Sequence, residues 1–322
     1  MAFQDVLKMD PAATTDQLVA RLRHDIQHTL RRRGAVVGIS GGIDSSVVLA
    51  LCVRACGPQR LIGLIMPDRD SSPESTPLAQ ALARHYGVES IVEDITDALT
   101  GLGCYLRRDE AIARVFPEYD PATYKAKIVL PQNVLDSDAL NVFYLTIISP
   151  DGQVKSKRIP PREYLQIVAA SNFKQRTRMA VLYYHAELRS YAVIGTSNKN
   201  EHDQGFFVKY GDGAADVQPI AHLYKTQVYQ LARYLDVPQE IQSRPPTTDT
   251  YSAECTQEEF FFRLPFDLMD LLWYAQEHSV PIADVVRTMS LSEEQIQRAF
   301  SDLERKRRTT EYLRMVPIEY GE

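Results

Sequence analysis

The stretch Ala35-Val36-Val37-Gly38-Ile39-Ser40-Gly41-Gly42-Ile43-Asp44-Ser45-Ser46 decides the fold. Its first five residues form a short apolar run without alternation, the pattern of a strand buried on both faces of a parallel sheet. Serine and glycine follow at once, and Ser46-Val47-Val48-Leu49-Ala50-Leu51-Cys52-Val53 then reads as a helix. The glycines, Gly38, Gly41 and Gly42, carry no Cβ, so the backbone can turn sharply and approach a ligand closely. A loop that ends on a helix N-terminus presents free N–H groups and the positive end of the helix dipole, a setting suited to phosphate. Asp44 lies inside this loop. A carboxylate beside a polyphosphate is repulsive unless a cation stands between them, which makes Asp44 a natural Mg²⁺ ligand. The loop lacks the Gly-Lys-Ser/Thr ending of an ordinary P-loop and the three-glycine spacing of a dinucleotide fingerprint.

Working outward, residues 14–33 place Leu18, Leu22, Ile26 and Leu30 on one face of an amphipathic helix. Residues 61–66 and 90–95 read as further strands, with a helix over 75–86 between them. Strand, helix, strand and helix with short connections predict an α/β doubly wound, mostly parallel sheet flanked by helices. Residues 100–165 break that rhythm. Asn141–Ser149 and Val154–Ile159 are β-rich runs joined by Pro150-Asp151-Gly152-Gln153, a hairpin signal, so this stretch reads as an insertion carrying a β-hairpin. The α/β pattern resumes with a helix over 173–189, a strand over 191–196 and a helix over 224–235, and residues 257–313 read as helical. The whole of 1–322 is expected to form one domain.

The chain has 322 residues, a net charge of -6, 44% hydrophobic and 24% charged residues, an ordinary globular composition. The acidic balance argues against a nucleic-acid partner, although Arg31–Arg33 and Arg305–Arg308 are local basic clusters. No apolar run reaches membrane length and the N-terminus has no signal-peptide core, so a cytoplasmic protein with no membrane association is expected. Cys52, Cys56, Cys104 and Cys255 are too few for a disulfide scaffold and read as reduced thiols. The seven histidines show no zinc spacing, and no nucleophile elbow supports Ser-His-Asp chemistry. The apolar run from Phe260 to Trp273 reads as packing, with a dimer interface as the alternative.

The Ser-Gly-Gly-Ile-Asp-Ser-Ser loop resembles the signature of N-type ATP pyrophosphatases, which include NAD synthetases, GMP synthetases and asparagine synthetases. Gly195–Glu201 and Gly205–Asp216 resemble the second signature of the NAD synthetases, and Asn172–Met179, His222–Val228 and Pro246–Asp249 resemble neighbouring blocks. The resemblance covers roughly 14–97 and 168–250. It implies that Gly38, Ile39, Ser40, Gly41, Gly42, Ile43, Asp44, Ser45 and Ser46 cradle the phosphates of ATP. It implies that Asp44 and Glu201 hold Mg²⁺, that Thr196, Lys225 and Thr247 contact ATP, and that Asp44 and Lys225 are catalytic. Arg176, Lys209 and Asp216 would contact deamido-NAD. Arg305 and Lys306 align with a His-Lys pair that touches the substrate in the family, and the histidine is replaced here.

The activity so implied is ammonia-dependent amide synthesis by adenylation of a carboxylate, converting deamido-NAD to NAD with release of AMP and pyrophosphate. About 35 residues precede the first strand, too few for a glutaminase domain, so ammonia is expected free or from a separate glutaminase. The family resemblance also implies a homodimer. Three departures keep another carboxylate open as acceptor: the 100–165 insertion, the continuation Thr248-Asp249-Thr250-Tyr251 after Thr247, and the replaced histidine. A nucleotide-binding protein without catalysis would need a damaged site, yet Asp44, Glu201 and Lys225 are all present. Transfer to tRNA lacks both reactive cysteines and a basic RNA-binding surface.

Overall fold

Asp10 and Pro11 start the first helix: the Asp10 carboxylate accepts the N–H groups of Ala12 (3.0 Å) and Ala13 (3.1 Å), and proline occupies a position whose N–H needs no partner. The computed structural model describes residues 3–130, 134–135, 142–248 and 250–320. In chain order it runs α1 (Pro11–His24), β1 (Ala35–Gly38), α2 (Ile43–Cys56), β2 (Leu61–Ile65), α3 (Ser75–His85), β3 (Glu89–Val92), α4 (Thr96–Gly101), α5 (Cys104–Val115), β4 (Lys125–Val129), β5 (Tyr144–Ile148) and β6 (Val154–Arg158). Then follow α6 (Pro161–Arg189), β7 (Ala192–Ile194), α7 (Lys199–Gln204), α8 (Lys225–Tyr234), α9 (Gln239–Ser243), α10 (Phe266–Glu277), α11 (Ile282–Met289), α12 (Glu293–Thr309) and α13 (Glu311–Arg314). Among the described residues no helix is long and apolar enough to cross a membrane.

The first sheet is parallel throughout, in the order β3-β2-β1-β7. Its strands alternate faces with the period of two that a pleat imposes. Ala35, Val37, Leu61, Ile65, Ala192 and Ile194 pack with α1, α2, α3 and α8. Val36, Ile62, Leu64 and Val193 point the other way, onto Leu99, Tyr105, Met179, Leu182 and Ala186 of α4, α5 and α6. Both faces are therefore covered, which is why the strands read as unbroken apolar runs. The helix expected from residue 14 begins at Pro11 and passes into a π turn at Asp25–Thr29; Leu18, Leu22 and Ile26 are buried as expected.

The hairpin expected around Asp151-Gly152 is present as β5 and β6, and it belongs to a three-stranded antiparallel sheet, β4-β5-β6. Asn141, where the first run was expected to begin, lies outside the described residues, as does Asp249. β4 escaped the sequence reading because Lys125-Ala126-Lys127-Ile128-Val129 is short and half charged, and β6 is exposed along its whole length. Ala126, Ile128, Leu145 and Ile147 turn inward onto Ile112 of α5, Phe116 just beyond it and Ile167 of α6. The helix expected from Phe173 starts at Pro161. Proline at its first position and Ser190 in the left-handed conformation at its end (φ 57°) bound a helix of 29 residues. The apolar run at 260–273 is core as expected: Phe262, Leu264, Phe266, Leu272 and Trp273 pack with Val285, Ile296 and Leu303.

A buried ionic network fastens α5 and α6 to the carboxyl end of β2. Lys174 Nζ lies 2.9 Å from Asp68 and 2.8 Å from Asp70; Arg178 donates to Asp68 (2.8 Å) and Arg108 to Asp70 (2.5 Å). Removing one member of such a network strands its partners without solvent. Lys174→Met should lower the unfolding free energy by about 3 kcal/mol, read as a lower urea midpoint with an unchanged slope. A midpoint equal to that of the unsubstituted chain would refute the coupling.

Candidate active site

β1 ends at Gly38, and the chain then turns through Ser40, Gly41 and Gly42 into α2. Of the three loop glycines only Gly41 has a positive φ (75°), and a Cβ there would come within 3.0 Å of Leu78 Cβ and 3.1 Å of the Ser75 carbonyl. That position admits glycine alone. Gly38 lies in ordinary strand geometry. Serines stitch the turn: Ser45 Oγ donates to the Gly42 carbonyl (3.0 Å), Ser46 Oγ to the same carbonyl (2.8 Å), and the Gly42 N–H donates to Ser40 Oγ (3.2 Å). Gly42 is the N-cap of α2 and caps it with no side chain. The first-turn N–H groups of this 14-residue helix are thus left for a ligand, with the dipole behind them.

Asp44, in that first turn, meets Lys225, the first residue of α8. The Lys225 ammonium is fully buried, 2.5 Å from Asp44 Oδ2, and Asn198 Nδ2 donates to Asp44 Oδ1 (3.0 Å). Burial opposes the lysine's charge, but Asp44 and then Glu201 outweigh it and hold its pKa above the usual value. Asn198 caps α7 in a capping box with Glu201, whose carboxylate also accepts Gln257 Nε2 (3.1 Å). Burial, and then the nearby Asp44 carboxylate, push the Glu201 carboxyl up to about 8. Asp44, paired with Lys225, and Glu201, which feels the charge of both, are the oxygen donors at hand here for a divalent cation. Among the described residues no third acidic or histidine side chain completes a cluster, so phosphate oxygens and water would supply the rest, the usual habit of Mg²⁺.

These groups open on a cavity of about 590 Å³. Gly38, Ile39, Ser40, Gly42, Ile43, Asp44, Ser45, Thr196, Glu201, Lys225 and Thr247 line it; Gly41 and Ser46 sit behind its wall. The remaining residues singled out from the sequence lie elsewhere. Arg176 is exposed on α6 and donates to the Lys209 carbonyl (3.3 Å). Lys209 Nζ donates to the carbonyls of Tyr312 and Met315, both at 2.8 Å. Asp216 accepts the Tyr183 hydroxyl (3.2 Å) and the Val193 N–H (2.8 Å). Lys306 is buried against Asp302 (2.8 Å), where burial lowers its pKa, and its neighbour Arg305 is half-buried on α12.

Several groups of the site carried no readable signal. Asn200 Oδ1 accepts the Lys225 N–H (3.0 Å), while Asp270 of α10 accepts Asn200 Nδ2 (2.5 Å) and the Thr226 N–H (2.8 Å). This pair aims the start of α8, and hence Lys225, at the loop. Arg178 and Asp212 line the cavity; both stand in stretches that carried the family resemblance, yet nothing in their spacing set them apart. Asp270 stands in a helix with no motif at all.

Burial raises the Asp270 carboxyl to about 6, against the hydrogen bonds from Asn200 and Thr226 that favour its charge. A folded-state value above the ordinary 3.8 means that its stabilising contribution is complete below that value and is lost as pH rises through about 6. Asp270→Asn removes this titration. Its unfolding free energy should therefore change less between about pH 4 and 6.5 than that of the unsubstituted chain, measured by urea melts across the range. Identical slopes would show that Asp270 does not titrate there.

Comparison with known proteins agrees with this geometry. The chain matches the NAD synthase family over residues 14–113 and 133–317. It is 51% identical over 320 residues to the NH(3)-dependent NAD(+) synthetase of Mesorhizobium japonicum, covering 98% of this chain and 100% of that one. It is 50% identical to the enzyme of the same name from Rhizobium meliloti, covering 97% and 93%. A likeness of fold alone, at 21% identity and a TM-score of 0.62, links it to the solved NH3-dependent NAD synthetase of Campylobacter jejuni, covering 98% of this chain and all of the other. The phosphate loop, the lysine that faces it and these relatives together place the chain in the NAD synthase family.

Proposed function

We propose that the protein is an ammonia-dependent NAD synthetase, an ATP-consuming carbon–nitrogen ligase that amidates deamido-NAD. The observation that carries this reading is the meeting of the uncapped α2 N-terminus, Asp44, Glu201 and Lys225 in one cavity, in a chain half identical to enzymes of that name. The nicotinate carboxylate attacks the α-phosphorus of ATP, the bond to the bridging oxygen breaks, and pyrophosphate leaves. Ammonia then attacks the acyl carbon, AMP departs with the carbon–oxygen electron pair, and the nitrogen sheds its extra proton. The chain's part is to bind, orient and offset charge. The α2 N–H groups hold phosphate oxygens, and the Lys225 ammonium faces the charge that grows on the departing pyrophosphate. Asp44 and Glu201 would hold Mg²⁺, which when bound neutralises the polyphosphate. No side chain needs to form a covalent bond.

The wider site and assembly belong to the same proposal. Arg176, Lys209, Asp216, Arg305 and Lys306 are read as dinucleotide contacts, supported by their family positions. Leu165, Tyr184 and Leu188 of α6 are exposed, as are Arg176 of the same helix and Leu106 of α5. A second copy of the chain covering these residues would bury apolar surface, and sedimentation should show a dimer. We read residues 1–322 as one domain, because β4–β6 shares its core with α5 and α6.

A steady-state assay with ATP, ammonia, Mg²⁺ and deamido-NAD should yield NAD, AMP and pyrophosphate in equal amounts. No NAD above background would sink the assignment. Asp44→Asn should lower pyrophosphate release by at least about a hundredfold, while the thermal melt stays cooperative with a lower midpoint because the buried Lys225 loses its partner. Full activity in that variant would contradict the role of Asp44.

A further inference from the structure

The cavity extends well beyond the phosphate loop. One face of α6 runs along it: Tyr164, Val168, Gln175, Arg178 and Leu182 all line it. At ~1.5 Å per residue, Tyr164 and Leu182 stand about 27 Å apart along the helix. The Leu182 end is the phosphate end, since a Cβ on Gly38 would lie 3.6 Å from Leu182 methyl carbons. The other end lies beside the β4–β6 sheet. Phe143, just before β5, and Tyr164, in the first turn of α6, stack with ring centroids 4.6 Å apart and planes 21° from parallel. Both rings line the cavity and both are only half-buried. β4 holds β5 in register and lies in residues 114–132, the stretch that the family match omits. The aromatic pair itself lies within the matched residues 133–317.

We propose that Phe143 and Tyr164 form a stacking platform for the heteroaromatic base of one of the two nucleotide substrates, and so determine its affinity without taking part in the chemistry. The proposal rests on the synthetase reading, which requires two nucleotides in one cleft. The phosphate loop anchors one of them at the Leu182 end. A flat aromatic pair at the opposite end offers a π-face to a base. A base laid on the pair continues a stack that already exists, so little side-chain freedom is lost on binding.

The test uses the full chain with Phe143→Leu and Tyr164→Leu, which keep apolar bulk and remove the ring, and Phe143→Trp, which restores a π-face. In the leucine variants KM for either ATP or deamido-NAD should rise about tenfold, the loss of one base–aromatic stack, with kcat and the melting temperature kept. A rise for ATP identifies adenine of ATP as the base; a rise for deamido-NAD identifies the dinucleotide. The tryptophan variant should retain KM, and its indole emission should be quenched when that nucleotide is added. Unchanged KM values for both nucleotides in the leucine variants would overturn the proposal. If a leucine variant does not fold, Phe143→Trp decides alone: emission insensitive to both ATP and deamido-NAD overturns it. Should the unsubstituted chain make no NAD, the synthetase reading fails on that ground. The platform is then judged separately by calorimetric binding of ATP and of deamido-NAD to the same variants.

Discussion

The ion pair between Lys225 and Asp44 is the contact on which the site depends. It joins the N-termini of α2 and α8. A lysine buried so completely remains charged only because carboxylates lie beside it. The reverse holds for Glu201, which burial and then the repulsion of Asp44 push toward its neutral form, against the pull of Lys225.

That balance is kept in place by polar groups outside the reaction. Asn198 holds Asp44 and caps the helix that bears Glu201. Asn200 and Asp270 hold the first residues of α8. On the other wall, Lys174 binds Asp68 and Asp70, and Arg108 reaches Asp70 from α5. Through this second network α5 and α6 are tied to the end of β2, next to the cavity. Phe143, just before β5, and Tyr164 of α6 line the same cavity.

Legibility followed the range of the interactions involved. Strands β1, β2 and β7 were readable because burial on both faces leaves an unbroken apolar run, and the helix starting at Ser46 was seen because its apolar residues are contiguous. β6 was visible only through the Asp151-Gly152 turn, since its side chains are all exposed. β4 was missed because it takes its place from pairing with β5, which its own charged residues do not announce. The start of α6 was placed too late, at Phe173, because the Pro160-Pro161 step was absorbed into the hairpin region.

For the site, the chain by itself determined the phosphate loop: a strand end, a glycine that must adopt φ near 75° and an uncapped helix N-terminus are all local properties. Glu201 and Lys225 were recognisable through motifs. Only the tertiary structure decided that they converge on Asp44, whereas Lys209 turns to the carbonyls of Tyr312 and Met315 and Lys306 to Asp302. Asp270, Lys174 and the Phe143–Tyr164 pair owe their roles to partners far away in the chain. A side chain's type sets what it can bind, but its partner is set by packing between elements, and no local pattern records that.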